Sequence, residues 1–363
     1  MGARALYVHI PFCEHICAYC DFVRCGYHEQ LADDYLEALI QEIRLQDLSS
    51  VETVYIGGGT PSVLSTAQLS RLLTALKPCL QQAKEITMEA NVENLSEEKI
   101  ELFQSFGGNR FSIGVQSFDD GHLKRMNRLH NKAQIMDCIE MIRKKGIVNI
   151  SIDLMYSLPF QTMEQWQCDL KEALGLKVPH ISLYSLTIEE NSKFNRLGLQ
   201  PCDNETEGKM YELACTLLAE AGYEHYEVSN FAKHGYASLH NRMYWRYEDF
   251  IGVGCGASGK EHHCRYDHPF RLDRYLQSDF GRQVTQLTQK DEMFEHLMMS
   301  LRMAEGLDIE RFNQCYQVDF LQQHQAMVER YVGKKMLVLE DGYLKPSELG
   351  MCFLNDILVD FMD

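Results

Sequence analysis

The stretch HIPFCEHICAYC, residues 9–20, overlaps the end of an apolar run at residues 5–10 and carries three cysteines, Cys13, Cys17 and Cys20. Three closely spaced thiols form an incomplete cage, because structural zinc sites and ferredoxin-type clusters use four protein ligands. A [4Fe–4S] cluster held by three thiolates leaves one iron open to a further ligand. The C-x3-C-x2-C spacing is much more specific than a lone pair of cysteines, and it predicts a reactive iron–sulfur site.

Outward from this stretch, short β-rich runs alternate with stretches of helical spacing. The runs are residues 5–10, 53–56, 85–88, 110–115, 149–155 and 180–186. The helical stretches are residues 31–48, 66–76, 97–106, 132–144, 163–174 and 205–221. Strands that alternate with helices of this length indicate βαβ units and a parallel sheet. The pattern predicts an α/β fold and favours a partial (β/α)6 barrel over an open sheet, although the sequence alone does not decide whether the sheet closes.

The alternation stops after about residue 285. Helical spacing then occupies residues 294–303, 309–315 and 321–332, followed by a hairpin pattern at 337–344 and a last helical stretch at 347–362. Asp341-Gly342 is a strong signal for the hairpin turn. We therefore predict three regions: a barrel core at 1–230, a connecting segment at 231–285 and a small C-terminal α+β domain of winged-helix type at 286–363.

Composition limits the classes of function. A chain of 363 residues can form one large domain and a smaller one. The net charge of −17 argues against a non-specific nucleic-acid binder, which needs clustered Lys and Arg. No stretch approaches the roughly 20 apolar residues of a membrane span. Thirteen cysteines without an export signal predict a reducing cytoplasm, where grouped cysteines are more often metal ligands than disulfides.

Polar residues follow the carboxyl ends of successive predicted strands. The cysteines follow the first strand, GGGTP at residues 57–61 follows the second, and Glu89, Gln116 and Asp153 lie at or near the ends of the next three. Reactive groups of parallel α/β barrels gather at this edge. The glycines allow close approach of a ligand and expose N–H groups, which suits a carboxylate or an amine-bearing ligand. Viewed singly, each of the three acceptors is as easily a strand-end or capping residue.

A second constellation is LHNRMYW, residues 239–245. An imidazole at His240 beside the flat rings of Tyr244 and Trp245 is able to ligate and stack on a haem. Ordinary packing is the commoner role of a histidine in such a place. The residues alone leave both interpretations open.

Four blocks together resemble the oxygen-independent coproporphyrinogen III oxidase-like family of radical S-adenosylmethionine (SAM) proteins. They are YVHIPFC at 7–13, YIGGGTP at 55–61, FSIGVQSF at 111–118 and EVSNFA at 227–232. The resemblance covers nearly the whole chain and implies a radical SAM barrel in which Cys13, Cys17 and Cys20 hold the [4Fe–4S] cluster. It also implies SAM contacts at Tyr7, Gly57, Gly58, Thr60, Glu89, Gln116, Arg128 and Asp153. For Arg128 the resemblance is the only basis.

Within that family, the resemblance distinguishes two activities. The dehydrogenases carry a fourth cysteine two residues after the third and an N-terminal extension, whereas this chain has Phe22 there, starts close to the first strand and has its next thiol at Cys25. The block around His240 resembles instead the haem-binding motif of haem chaperones in the family. The role of Cys25 stays open.

The resemblance therefore implies a cytoplasmic haem chaperone that carries the cluster, SAM and one haem contacted by His240. It would deliver haem to a haem-requiring acceptor protein such as a respiratory enzyme, as a monomer or dimer, with membrane contact only through the acceptor. No residue is assigned a catalytic role. The alternatives are radical SAM oxidative decarboxylation of coproporphyrinogen III and, more weakly, anaerobic haem breakdown.

Overall fold

The predicted alternation of strands and helices is confirmed in the computed structural model, which describes residues 2–277 and 280–362. The strands of the first half are β1 (Ala5–Ile10), β2 (Phe12–Cys13), β3 (Cys25–Gly26), β4 (Thr53–Gly58), β5 (Glu85–Ala90), β6 (Arg110–Gln116), β7 (Asn149–Tyr156) and β8 (His180–Ser185). The helices are α1 (Glu29–Leu45), α2 (Thr66–Leu80), α3 (Glu97–Ser105), α4 (Asp120–Arg125), α5 (Lys132–Lys144), α6 (Met163–Gly175), α7 (Lys193–Arg196) and α8 (Asn204–Glu220).

The second half continues with shorter elements. The segment up to residue 286 contains β9 (Glu224–Glu227), β10 (Asn230–Ala232), α9 (Leu239–Trp245), β11 (Phe250–Val253), β12 (Ser258–Glu261), β13 (Cys264–Asp267), α10 (Leu272–Tyr275) and β14 (Gln283–Gln286). The C-terminal part contains α11 (Gln289–Ser300), β15 (Leu307–Asp308), α12 (Ile309–Tyr316), α13 (Phe320–Gln323), α14 (Gln325–Gly333), β16 (Leu337–Glu340), β17 (Tyr343–Pro346), α15 (Glu348–Cys352) and α16 (Leu354–Val359).

Several helices begin where side chains satisfy amides that lack a partner in the first turn. The side chain of Ser65 accepts a hydrogen bond from the amide of Gln68, and the side chain of Gln68 accepts one from the amide of Ser65. Asn131 and Gln134 start α5 in the same way. Such caps contribute about 1 kcal/mol each, and they fix where each strand-to-helix connection ends.

One sheet carries the barrel. Its strand order is β14-β13-β12-β11-β1-β4-β5-β6-β7-β8-β10-β9. The strands from β11 to β8 in this order are parallel, and the outer strands on both sides are antiparallel. Among the described residues the two end strands do not pair with each other, so the barrel is open, as a partial barrel requires.

The seventh parallel strand, β11, is absent from the predicted elements. It pairs with β1 in the register Ala5↔Phe250 to Val8↔Val253. Strands β11 to β14, all beyond residue 230, thus belong to the same sheet as the predicted barrel core. The domain limits at 230 and 285 stay a prediction, and the sheet runs across the first of them.

The loop after β11 packs behind the loop that carries the cysteines. The hydroxyl of Tyr35 donates to the carbonyl of His9 at 2.7 Å and accepts from the amide of Cys255 at 3.1 Å. Gly254 has φ +101°, and a Cβ there would lie 2.6 Å from the Tyr35 hydroxyl. Only glycine adopts this backbone without strain and allows so close a contact.

The two faces of the parallel strands differ in polarity. Side chains such as Val54, Ile56 and Met88 are fully buried in the apolar layer beneath the helices. The alternate positions carry buried polar side chains, namely Thr53, Thr87, Ser112, Ser151 and Ser182. Because successive side chains point to opposite faces, the inside of the barrel is polar and is the place where ligands can be bound.

The C-terminal part has its own apolar core. Leu297, Phe312, Phe320, Leu344 and Ile357 are among its buried members. The predicted hairpin forms as β16 and β17, and β15 completes a three-stranded sheet. Across the described residues, no helix combines the length and apolar character of a membrane span.

Candidate functional site

A cavity of about 360 Å³ opens at the carboxyl ends of the parallel strands. Its walls include the three cysteines of the C-x3-C-x2-C motif and the glycine turn after β4. The remaining lining is mostly polar and includes Glu89, Asn91, Ser112, Gln116, Arg128, Asp153 and Tyr184. The geometry agrees with the rule that parallel barrels bind ligands at this edge.

Cys13, Cys17 and Cys20 are free thiols that face one cavity. The hydroxyl of Thr60 donates to the Cys13 sulfur at 3.6 Å, and Arg128 donates to the Cys17 sulfur at 3.5 Å. Burial raises the pKa of the Cys13 thiol to about 11. Since iron binds the thiolate, loading of this site must release protons.

The three thiols share one cavity, as the protein ligands of a cluster must. Within residues 2–277 and 280–362, no three ligand side chains converge as they would around one metal ion. In a [4Fe–4S] cluster each thiolate binds a different iron. Cysteine sulfur is a soft metal ligand, and Thr60 and Arg128 direct hydrogen-bond donors at two of the three sulfurs. This ligand set suits an iron–sulfur cluster with one open iron.

The glycine turn brings backbone directly against the cysteine loop. A Cβ at Gly59 would lie 2.8 Å from the carbonyl oxygen of Phe12 and 3.0 Å from the Cys13 sulfur. Gly58 has φ +113°, and a Cβ there would lie 2.6 Å from the ring of His9. The sequence needs glycine at both positions because any side chain would displace the turn or the cysteine loop.

Two carboxylates make the inner wall of the cavity negative. Glu89 accepts from the Tyr55 hydroxyl at 2.7 Å and from the amide of Gly58 at 3.0 Å. Burial and, to a smaller extent, the neighbouring Asp153 raise the pKa of Glu89 to about 7. Burial also raises the pKa of Asp153, although Ser112 donates to it at 3.3 Å. Two desolvated carboxylates favour a ligand that carries positive charge.

Arg128 places a fixed positive charge beside the cysteines. Its guanidinium is buried, donates to the amide oxygen of Asn91 at 2.9 Å and also donates to the carbonyl of Gly114. Gln116, at the end of β6, has φ +68° at a register shift against β7. Strained backbone of this kind often lies at ligand sites, where it redirects a side chain.

Six of the eight predicted SAM contacts line the cavity: Gly58, Thr60, Glu89, Gln116, Arg128 and Asp153. The other two lie just behind its wall. Tyr7 stacks on Tyr55 with ring centroids 6.2 Å apart, and its hydroxyl hydrogen-bonds Nδ1 of His9 at 2.9 Å. A Cβ at Gly57 would lie 2.9 Å from the carboxyl of Glu89, so this glycine determines where Glu89 stands.

His240 lies at the opposite end of the barrel. It is 1% exposed, and its Nδ1 hydrogen-bonds the hydroxyl of Thr53, the first residue of β4, at 2.9 Å. Its Nε2 hydrogen-bonds the Tyr244 hydroxyl at 2.8 Å, and its ring stacks on Tyr55 at 5.2 Å. Burial lowers the pKa of His240 to about 3. In this arrangement neither ring nitrogen is free to bind iron.

The helix that carries His240 is fastened to the barrel by Glu85, the first residue of β5. Its carboxylate accepts from the hydroxyl of Ser238 at 3.2 Å and from the amides of Leu239 at 3.1 Å and His240 at 2.9 Å. Hydrogen bonds to an ionised acceptor are about twice as strong as neutral ones. Glu85 therefore holds the start of α9 against the amino end of the barrel, where His240 is buried.

Some residues of the cavity are absent from the predicted set. Asn91, Ser112 and Tyr184 line it, as does Arg24 on the cysteine loop. Ser112 and Tyr184 occupy inward positions on β6 and β8, so the two-residue period of the strands could have found them. Arg24 carries no such signal, because it lies in an irregular loop.

Residues 7–173 match the family model of the Radical SAM superfamily, and residues 287–353 match that of the HemN C-terminal domain. The haem chaperone HemW of Lactococcus lactis is 38% identical over 99% of this chain and 97% of its own length. The haem chaperone HemW of Escherichia coli is 34% identical over 99% of this chain and 98% of its own length. This chain belongs to the HemW family. The HemW relative from Bacillus subtilis is 36% identical over 86% of this chain and 87% of its own length.

The fold is shared with a solved radical SAM enzyme. Coproporphyrinogen III oxidase, HemN, from Escherichia coli superposes with a TM-score of 0.85 at 23% identity, over 99% of this chain and 90% of that one. At this identity the likeness shows the fold of this chain, including the partial barrel and the C-terminal domain. The match to the radical SAM superfamily supports a [4Fe–4S] cluster and SAM as cofactors.

Proposed function

We propose that this chain is a haem chaperone, which carries a SAM-chelated [4Fe–4S] cluster, binds haem as cargo and transfers it to a haem-requiring acceptor protein. The observation that carries the proposal is the similarity to proteins named haem chaperone HemW over nearly the full length of both chains. The cysteine loop supports it, since Phe22 stands two residues after Cys20 and lines the cavity without offering a fourth sulfur.

The residues of the cavity divide between the two cofactors. We assign Cys13, Cys17 and Cys20 to the cluster, because their sulfurs share one cavity and receive donors from Thr60 and Arg128. When bound, the cluster supplies an open iron to which the amino-acid end of SAM can bind.

The glycine turn and the acidic wall are assigned to SAM. The turn suits the amino-acid end of SAM because its glycines carry no side chains, and Glu89 and Asp153 suit the positive charges of SAM. Gln116, Thr60 and Arg128 complete the polar lining, while Tyr7 and Gly57 support it from behind. No residue of the cavity needs to act on haem itself, so the proposal names no catalytic residue.

We propose His240 as a haem contact only after its two hydrogen bonds inside the barrel are broken. Its imidazole must leave Thr53 and Tyr244 before either nitrogen can reach iron. Such a contact would therefore accompany the opening of α9 and would not occur in the closed barrel.

The proposal also covers the location, the acceptor and the oligomeric state of the chaperone. A cytoplasmic protein with net charge −17 is suited to a protein acceptor and not to nucleic acid. We propose a respiratory or other haem-requiring acceptor, with any membrane contact made by that acceptor. The chain would work as a monomer or dimer.

Haem titration of the anaerobically reconstituted protein tests the function. We expect saturable binding of one haem per chain, seen as growth and shift of the Soret band, without conversion of coproporphyrinogen III in the presence of SAM and reductant. Serum albumin that binds haem non-specifically provides a reference spectrum. Absence of saturable haem binding, or formation of protoporphyrinogen IX, would contradict the proposal.

The pH dependence of SAM binding tests the acidic wall. Because the pKa of Glu89 is raised to about 7, its carboxyl is neutral below that pH and negative above it. We expect SAM affinity to rise severalfold between pH 6 and pH 8, as measured by anaerobic equilibrium binding. The pH dependence should disappear in Glu89→Gln, whose affinity should resemble that of the wild type at low pH. Equal pH profiles for both proteins would contradict the assignment of Glu89.

A further inference from the structure

The cysteine loop presents an exposed imidazole at the mouth of the cavity. His15 is exposed, lines the cavity beside Cys17, and has no side-chain hydrogen bond with any described residue. By contrast, both ring nitrogens of His9 and of His240 are hydrogen-bonded inside the barrel. An exposed imidazole whose ring nitrogens have no partner is a good ligand for iron.

An exposed aromatic ring stands on the same loop. Phe22 is 65% exposed and lines the same cavity as His15. Ile16, next to His15, is 43% exposed. A flat apolar ligand would cover these side chains and remove their surface from water.

A positively charged side chain, Arg24, lies on the same loop as His15 and Phe22. Arg24 lines the cavity, and its Nη1 donates to the carbonyl of Phe22 at 2.7 Å. Its Nη2 donates to the carbonyl of Cys20, and its Nε is buried without a hydrogen-bond partner among the described residues. Asp21 and Glu189 also line the cavity, so an anionic group of a ligand would be repelled from them and attracted to the Arg24 side.

We infer that haem first docks at the mouth of the cluster cavity, with His15 as a ligand of its iron, Phe22 against its ring and Arg24 near a propionate. The inference rests on the proposed chaperone function and names the surface on which the cargo is held. It is carried by three side chains of one ten-residue loop that match the three chemical features of haem, namely a metal, an apolar plane and carboxylates.

The size and polarity of the cavity place haem at its mouth and not inside. The interior is about 360 Å³ and is lined by carboxylates, amides and a guanidinium, which suit SAM. A macrocycle held outside would cover the opening through which SAM exchanges. Docked haem should therefore slow the release of SAM from the cavity.

The first experiment compares His15→Ala with His234→Ala. His234 is a matched control, since its side chain is 95% exposed and lies outside the cavity. With protein of equal iron and sulfide content, we expect His15→Ala to weaken ferric haem binding at least tenfold and to lose the EPR signature of histidine ligation. His234→Ala should behave as wild type. Added imidazole should restore the histidine-type spectrum of His15→Ala.

The second experiment compares Phe22→Ser with Phe160→Ser, which removes a 74% exposed ring outside the cavity. We expect severalfold weaker haem binding only for Phe22→Ser, and faster SAM release from haem-loaded Phe22→Ser than from haem-loaded wild type.

The outcomes separate the two proposals. Wild-type haem affinity and spectrum in His15→Ala would overturn the docking site and leave the chaperone function standing. Loss of haem binding in His240→Ala but not in His15→Ala would move the ligand to α9. Failure of the wild type to bind haem would overturn both proposals.

Discussion

Replacement of Cys17 by alanine is expected to abolish the [4Fe–4S] cluster. The cavity offers three thiols, and the loss of one leaves two protein ligands for a cluster that already has an open iron. Iron and sulfide are measured after anaerobic reconstitution. We expect Cys17→Ala to contain only background amounts of both, whereas the wild type contains a full cluster. The cluster absorbance should vanish in parallel.

Cys25→Ala is the matched control for this prediction. Cys25 is the nearest other thiol in the sequence, but it pairs with Phe12 across β2 and β3 and does not line the cavity. We expect it to keep the full cluster. Retention of the cluster in Cys17→Ala, or its loss in Cys25→Ala, would show that the ligand set is different.

Gly58→Ala should remove SAM binding while the three cysteines are unchanged. The added methyl group would lie 2.6 Å from the His9 ring, and φ of +113° is a conformation that alanine rarely adopts. Backbone strain of this kind costs about 1–3 kcal/mol, and steric overlap adds to it. The turn must therefore move, which displaces this wall of the cavity and takes the Gly58 amide away from Glu89. We expect at least a tenfold loss of SAM affinity in anaerobic equilibrium binding.

Gly175→Ala is the control for Gly58→Ala. Gly175 ends α6 with an ordinary φ and no atom within 4 Å of the added Cβ. Such a replacement is expected to leave SAM binding unchanged and to raise the free energy of unfolding by about 0.4–1 kcal/mol. Unaltered SAM affinity in Gly58→Ala would contradict the role of the glycine turn.

The parts of the fold that depend on local sequence could be predicted. The first six parallel strands follow from β-rich runs bounded by turn residues, and the helices follow from their spacing and caps. Strand β11 could not be predicted, because four residues with a central Gly252 carry little periodic signal. Its position is decided by pairing with β1, about 245 residues earlier in the chain.

In the site, too, the residues in local motifs could be predicted and those fixed by distant contacts could not. Cys13, Cys17 and Cys20 form one contiguous motif, and Glu89 and Asp153 follow from the rule on strand ends. The surroundings of His240 could not be predicted, because its partners Thr53 and Glu85 are 187 and 155 residues away in sequence. The local motif suggested an available imidazole, whereas the long-range contacts bury it.

The pairing of β1 with β11 also sets an order of events during synthesis. Strand β1 emerges from the ribosome first, yet one of its two neighbours is residues 250–253, and the wall behind the cysteine loop is completed only by residues 254 and 255. Contacts so distant in sequence form late, because the loop between them must close first. The cysteine loop therefore lacks part of its supporting contacts while more than two hundred further residues are translated. Iron and sulfide inserted into the completed site would therefore be inserted after residues 254 and 255 have been translated.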